Sequence, residues 1–324
     1  MAFIVSLFFA FVPAFLMAMF VYWLDRYEKE PLVLLGGVFF WGAVVAAGGA
    51  FVINTVFGIG IYALTGSGNL ADQATASLVA PFVEEGLKGM AVLIVFLFFR
   101  REFDSILDGI IYAGIAALGF AATENVLYIY GHGFQEGGWS GLWQLVFIRD
   151  IIVPWQHPFY TAFIGIGLAV ARLNKNVLVK IIAVPVGYFT AVFLHAFHNS
   201  FGNFVGGLTG FALGSLLDWS GWFFMAIFII FMIGRERGIV QRQLQEEVAS
   251  GLISRAQFQK ALSPMMMSTA IFSGGRSASR FFRICGELAF KKEEYSKLGN
   301  EGGNLAMVQK LRGELAMLAP QIKA

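Results

Sequence analysis

A chain of 324 residues would suffice for a two-domain soluble protein, but 57% of these are hydrophobic, only 14% are charged, mean hydropathy is +0.70 and phenylalanine occurs 35 times. That composition excludes an ordinary water-soluble fold and predicts an all-α, polytopic membrane helical bundle. The lone cysteine, Cys285, excludes an intrachain disulfide and a cysteine-built metal cluster. The net charge of +2 is unevenly spread: the stretch after residue 234 holds 14 Lys and Arg against 8 Asp and Glu, so 235–324 reads as a basic cytoplasmic tail domain behind a transmembrane domain at 1–234.

Residues 2–24 are the first predicted span. No basic n-region precedes them and no small-residue cleavage site leads into a soluble domain, which favours a span over a cleaved signal. A polar cluster at 25–30 closes it. Pro31 opens the second span, 32–64, whose glycine- and alanine-rich stretch from Gly42 to Ala50 suits close helix contact. The linker 65–73, TGSGNLADQ, carries no Lys or Arg. The third span, 74–99, contains Glu84, Glu85 and Lys88, with Pro81 as an expected kink. The fourth, 106–130, has Asp108 near its start and Glu124 and Asn125 deeper in, and the GHGFQEGG that follows reads as a loop by its glycines.

Residues 142–153, interrupted by Gln144, Arg149 and Asp150, read as an amphipathic or re-entrant lead into a fifth span at 156–171. The sixth, 177–200, ends in LHAFHNS; 202–217 is expected to be a glycine-rich outer loop or partial re-entry, and 219–234 a seventh span. With the N-terminus outside, the basic residues at 26 and 29, 100 and 101, 172 to 180 and 235 onward share the cytoplasmic side, and the opposite loops have none. The expectation is a seven-span, multi-pass protein of the cell inner (cytoplasmic) membrane with its tail in the cytoplasm.

The tail reads as a helix near 236–249, a break at Ser250 and Gly251, a short helix, an apolar and basic stretch, and a last helix at 304–318. Two readings of its middle are equally weighted. Met265, Met266, Met267, Ile271, Phe272, Phe281 and Phe282, among Arg276, Arg280 and Arg283, could lie on an anionic leaflet; or the tail is an ordinary helical domain with a small apolar core. Nucleic acid is not an expected partner, because the basic residues are scattered among acids and no recognition module is present.

The groups that carry chemistry are those an apolar span should not contain. An ionisable side chain near the bilayer centre costs at least about 2.5 kcal/mol, so three within five positions need a reason. On a helix Glu84 and Lys88 are i,i+4 and Glu85 and Lys88 are i,i+3, so Lys88 can serve either acid while the other faces a cavity. Glu124, His157 and the trio His195, His198 and Asn199, which share a helix face, are the other polar intrusions. For each histidine alone the bland reading is a hydrogen-bonded core group. Together, carboxylates at 84, 85 and 124 with imidazoles at 157 and 195 supply what peptide hydrolysis needs: a base for water, an acid for the leaving amine and donors for an oxyanion. The same groups, His157 and His195 with a carboxylate, could hold zinc. No HExxH is present, and metal use stays open on the residues alone.

Four blocks in order then resemble a known family. They are EExxK as Glu84, Glu85 and Lys88 in PFVEEGLKG; LDGIIYAGIAALGFAATENVLYI with Asp108, Gly109, Phe120, Glu124 and Asn125; HPFYTAFIGIGLA from His157; and HxxxN from His195 to Asn199. Spanning residues 81–200, they are similar to the PrsW-type intramembrane proteases, distant relatives of CAAX-prenyl endopeptidases and bacteriocin-processing membrane proteases. The resemblance implies a membrane-embedded hydrolase acting on a membrane protein, in bacterial relatives the site-1 cleavage of a single-span anti-sigma factor in a stress response. His198 stands where the family commonly has another residue and is given no catalytic role. On this reading Glu84 or Glu85 activates water, one of the two pairing with Lys88. His157 and His195 position that water or bind a metal, Asn199 stabilises the tetrahedral intermediate, and Glu124 orients a histidine or passes a proton. The competing classes are a proton- or ion-coupled transporter using the carboxylates as a relay, a non-catalytic scaffold, and an enzyme acting on a prenylated or lipid-linked substrate.

Overall fold

The computed structural model describes residues 1–205 and 207–322, apart from the side chains of 202–204, 207, 266–268 and 271–274. The described residues are helical with no strand, and five runs are long and apolar enough to cross a membrane: Ala2–Leu24, Leu32–Thr65, Ile106–Leu173, Val177–Phe201 and Leu208–Ala249. The protein is a multi-spanning membrane helical bundle. The chain divides into two compact units, Met1–Val21 with Pro31–Ala226, and Tyr22–Glu30 with Ile227–Ala324.

In the first unit, α1 is Ala2–Leu24, α2 is Leu32–Thr65 with π-helical turns at Trp41–Ala46, and α3 is Gly68–Ala74. The linker expected at 65–73 is therefore mostly helix, because Gly66 turns the chain at φ 68° and the Ser67 hydroxyl caps the Leu70 amide at 3.3 Å. A π-helical stretch, Thr75–Val79, leads into α4, Ala80–Phe98. The widened turn lies just before Pro81, which lacks an N–H and would collide with the carbonyl four residues back.

The central helix is α5, Ile106–Val126, which is almost wholly buried. A capping box starts it: the Ser105 hydroxyl accepts from the Asp108 amide at 3.1 Å while Asp108 accepts from the Ser105 amide at 2.6 Å. Asp108 is thus explained as a helix cap. Glycines let the neighbours close on α5. A Cβ on Gly42 would lie 1.9 Å from the Ala116 carbonyl oxygen, one on Gly119 2.1 Å from that of Phe39, and one on Gly109 2.3 Å from that of Gly165.

Residues 131–138, expected to be a loop, are helical apart from a kink at Gly138. Leu127–Gln135 is π-helical and α6, Glu136–Phe147, folds back on it, with Gly141 and Gly133 in contact. These glycines serve close packing more than chain reversal. After π-helical Ile148–Ile152 come α7, Gln156–Leu173, and α8, Val177–Val205, which touch through Gly167 and Gly187. Of the two readings of 202–217, the loop is corrected: 202–205 end α8, and 207–217 begin α9, Gly207–Gln243. Helix α4 packs against α2, α5, α7 and α8, which brings the polar blocks of the sequence to one place.

The second unit contains α10, Gln245–Ala249, α11, Arg255–Ala261, α12, Met266–Leu298, kinked at Gly275, and α13, Asn304–Leu318. Its core includes Leu244, Phe281, Leu288 and Leu315, together with Tyr27 from the connection after α1. Phe281 and Phe282 are 0% and 5% exposed, Arg280 pairs with Glu314, and Arg283 lies 3.5 Å from Glu287. That favours the helical-domain reading over the leaflet-lying one for these residues; the side chains of Met266, Met267, Ile271 and Phe272 lie outside the described residues.

Candidate active site

The first turns of α4, the C-terminal part of α5, the start of α7 and the C-terminal third of α8 converge on a cavity of about 510 Å³ whose walls include Glu84, Glu124, His157, His195 and Asn199. Of the residues singled out in the sequence, Glu85 lies directly behind this wall and is fully buried.

The two adjacent glutamates differ in their surroundings. Glu85 is saturated: Oε1 receives Lys88 Nζ at 2.6 Å and His195 Nδ1 at 2.9 Å, and Oε2 receives the Thr161 hydroxyl at 2.8 Å. Glu84 Oε1 has only the Asn54 amide at 3.4 Å, and its Oε2 is buried with no hydrogen-bond partner. Lys88, itself fully buried, lies 3.9 Å from Glu84 Oε2, 3.2 Å from His157 Nδ1 and 4.5 Å from the centre of the Phe120 ring.

Each imidazole has a carboxylate of its own. His195 Nδ1 is held by Glu85, and His157 Nε2 donates to Glu124 Oε2 at 2.9 Å. Glu124 is anchored in turn by Arg149 Nη2, while Arg149 Nε reaches Asn125 and its guanidinium covers the Tyr128 ring at 4.1 Å. A carboxylate on one ring nitrogen fixes the tautomer and orientation of a metal-binding histidine. His195 Nε2 remains, 3.9 Å from the unpartnered Glu84 Oε2, and one ligand atom each of Glu84, His157 and His195 lies within 4.8 Å of the others. Two imidazoles and a carboxylate oxygen lacking any donor form a set that could coordinate a metal such as zinc.

Asn199 lines the cavity, with its amide donating to the Ala76 carbonyl at 2.9 Å. His198 also faces it, paired with Asp218 at 3.0 Å. Sequence reasoning gave no role to Arg149, Thr161, Asn54, Tyr160 or Asp218. Three of these carried a signal: Arg149 and Asp218 are charges, and Asn54 an amide, within otherwise apolar stretches.

A model of the family described as PrsW family intramembrane metalloprotease matches residues 30–234. The chain belongs to the PrsW family. Relatives include "Protease PrsW" of Bacillus subtilis, 27% identical over 164 residues, of Geobacillus kaustophilus, 32% over 123, and of Clostridioides difficile, 36% over 106. These alignments cover 51%, 38% and 33% of this chain and 67%, 51% and 42% of the relatives' own lengths. No solved structure matches. Membership places the chain among the peptidases, and the matched residues contain every group of the cavity described above.

Proposed function

We propose that this protein is an intramembrane endopeptidase that hydrolyses a peptide bond of a membrane protein, with a single-span anti-sigma factor or similar regulator as its substrate. The observation that carries the reading is Glu84 Oε2, a buried carboxylate oxygen without a donor, facing two imidazoles that are each fixed by another carboxylate.

Glu84, His157 and His195 are the residues that would hold zinc, which when bound lowers the pKa of a coordinated water and polarises the scissile carbonyl. A carboxylate has two oxygens, so Glu84 can both ligate and accept the proton of the attacking water, returning it to the leaving amine as the C–N bond breaks. Glu85, neutralised by Lys88, holds His195; Glu124, held by Arg149, orients His157. Asn199 has a second amide hydrogen beyond the one given to Ala76, and that hydrogen stabilises the oxyanion.

The reading includes seven spans. Ile106–Leu173 contains two helices of crossing length, α5 and α7, and α4 is an apolar helix broken only by Glu84, Glu85 and Lys88. With α1, α2, α8 and α9 these support a count of seven, and the distribution of Lys and Arg supports an N-terminus outside the inner membrane and a tail in the cytoplasm.

The test compares new peptide termini in the membrane proteome of cells carrying the intact protein and cells carrying Glu84→Gln at matched abundance. Termini lost only in the variant identify substrate and cleavage depth. If none is lost under inducing stress while the variant is folded, the protease reading falls.

A further inference from the structure

Asp218 is the lone charged residue between 208 and 234, in a stretch that otherwise reads as a membrane span. Such a residue has either to tie helices together or to serve a site. Its oxygens are fully engaged. Oδ1 receives the Tyr160 hydroxyl at 3.3 Å, Oδ2 receives the Gln156 amide at 2.7 Å, and His198 Nδ1 lies 3.1 Å from the first and 3.0 Å from the second. A carboxylate with three donors is a poor base or ligand, in contrast to Glu84.

Helix α9 has docking contacts besides Asp218. The indole of Trp219 donates to the Ile152 carbonyl at 2.8 Å and that of Trp222 to the Trp155 carbonyl at 2.7 Å, while Gly221 admits the Phe159 ring so closely that a Cβ there would lie 2.7 Å from it. What Asp218 adds is the placement of Tyr160. That ring is 2% exposed and stacks on the imidazole of His195, with centroids 5.1 Å apart and planes 21° from parallel.

The stack supplies what the Glu85 hydrogen bond cannot. A bond at Nδ1 sets the tautomer and mean orientation of His195, but a hydrogen bond tolerates tens of degrees of misalignment, and a tilt of that size would carry Nε2 away from Glu84. A flat neighbour on the ring face removes that freedom. The geometry points to Asp218 and Tyr160 as positioning residues for His195, with Asp218 setting Tyr160 through its hydroxyl and Tyr160 setting the imidazole plane. This rests on the reading of Glu84, His157 and His195 as the reaction centre, and it assigns the start of α9 to that centre.

Tyr160→Phe tests it most directly, because the ring stays and only the bond to Asp218 goes. Cleavage of a reconstituted substrate by Tyr160→Phe and by Asp218→Leu falls in kcat by about tenfold to a hundredfold, the range for losing a partner that orients a metal-binding imidazole. KM is unchanged, and the double variant is no worse than the poorer single one. Trp219→Phe, which removes one docking bond of α9 and leaves Tyr160 and Asp218 in place, stays within about twofold, since a single lost hydrogen bond of this kind costs a little stability and no orientation at the centre. The second readout needs no activity: in protein carrying ¹⁵N-labelled histidine, the His195 ring signals broaden in Tyr160→Phe and Asp218→Leu and not in Trp219→Phe. Unchanged kcat and unchanged His195 signals in Tyr160→Phe overturn the proposal. So does a loss confined to Asp218→Leu and accompanied by lower thermal stability, since that is helix docking alone. Broadened signals in a protein that cleaves nothing would remove the protease reading and leave the positioning intact.

Discussion

Glu124 and His157, 33 residues apart in the chain, meet at 2.9 Å, and Arg149 holds the same glutamate oxygen from the other side. The imidazole is thus steered by a carboxylate that is itself clamped. Glu124→Gln and Arg149→Lys are both expected to lower cleavage about tenfold to a hundredfold, as for loss of an orienting partner of a ligand histidine. Lysine does not rescue, because Arg149 reaches Glu124 and Asn125 from two nitrogens of one planar group and an ammonium is a point charge. Steady-state kinetics on a purified membrane substrate check this; near-normal cleavage by Arg149→Lys would show that the clamp is dispensable.

The adjacent glutamates should separate in a stability measurement. Glu85 is the close partner of Lys88, and both are fully buried. Removing its charge leaves a buried ammonium poorly compensated, which costs about 3–5 kcal/mol in the folded state. Glu84 Oε2 has no hydrogen bond to lose. Thermal unfolding in detergent micelles should therefore show Glu85→Gln strongly destabilised and Glu84→Gln near the parent, while both lose cleavage. Equal melting of the two would contradict this division of labour.

How much of this could be read from sequence follows from the cost of burying polarity. Glu84, Glu85, Glu124, His157 and His195 stood out because an apolar span tolerates such groups only for a reason, and α4 brings them together by packing on α2, α5, α7 and α8. Arg149 was visible as a charge, but its partner became clear only once α6 folded back on the turns before it. Glycine misled twice. At 131–138 and 207–217 it was read as a chain breaker, whereas in a helical bundle Gly133 and Gly141 allow backbones to touch. Tyr160 gave no signal, since an aromatic residue in a span is ordinary and its stacking on His195 depends on a residue 58 positions later, Asp218.

Metal binding gives a prediction independent of any substrate. Purified protein should retain zinc in equimolar amount, and Glu84→Gln, His157→Ala and His195→Ala should each lose it, as measured by elemental analysis after dialysis. His198→Ala should keep it, because His198 is committed to Asp218 and Gln156. Zinc kept by His157→Ala and His195→Ala alike would move any metal site elsewhere.

In the second unit, Gly286 lies where the connection after α1 crosses α12. A Cβ there would fall 1.7 Å from the Tyr27 carbonyl oxygen, and Tyr27 also donates its hydroxyl to the Leu262 carbonyl at 3.0 Å. Gly286→Ala forces backbone apart and should cost about 1–3 kcal/mol, as overpacking does. Tyr27→Phe should cost about 1 kcal/mol for the lost hydrogen bond. Cys285 beside it is a built-in reporter: it is 1% exposed, and burial first, then the nearby Glu247, push its thiol far above the ordinary range. A thiol that is both covered and protonated does not react, so maleimide should leave the native protein unlabelled at neutral pH and label it after unfolding. Gly286→Ala should raise the labelling rate severalfold without denaturant. Rapid labelling of the parent would show that the core around Tyr27 opens readily, and the packing described for this unit would then not be its resting state.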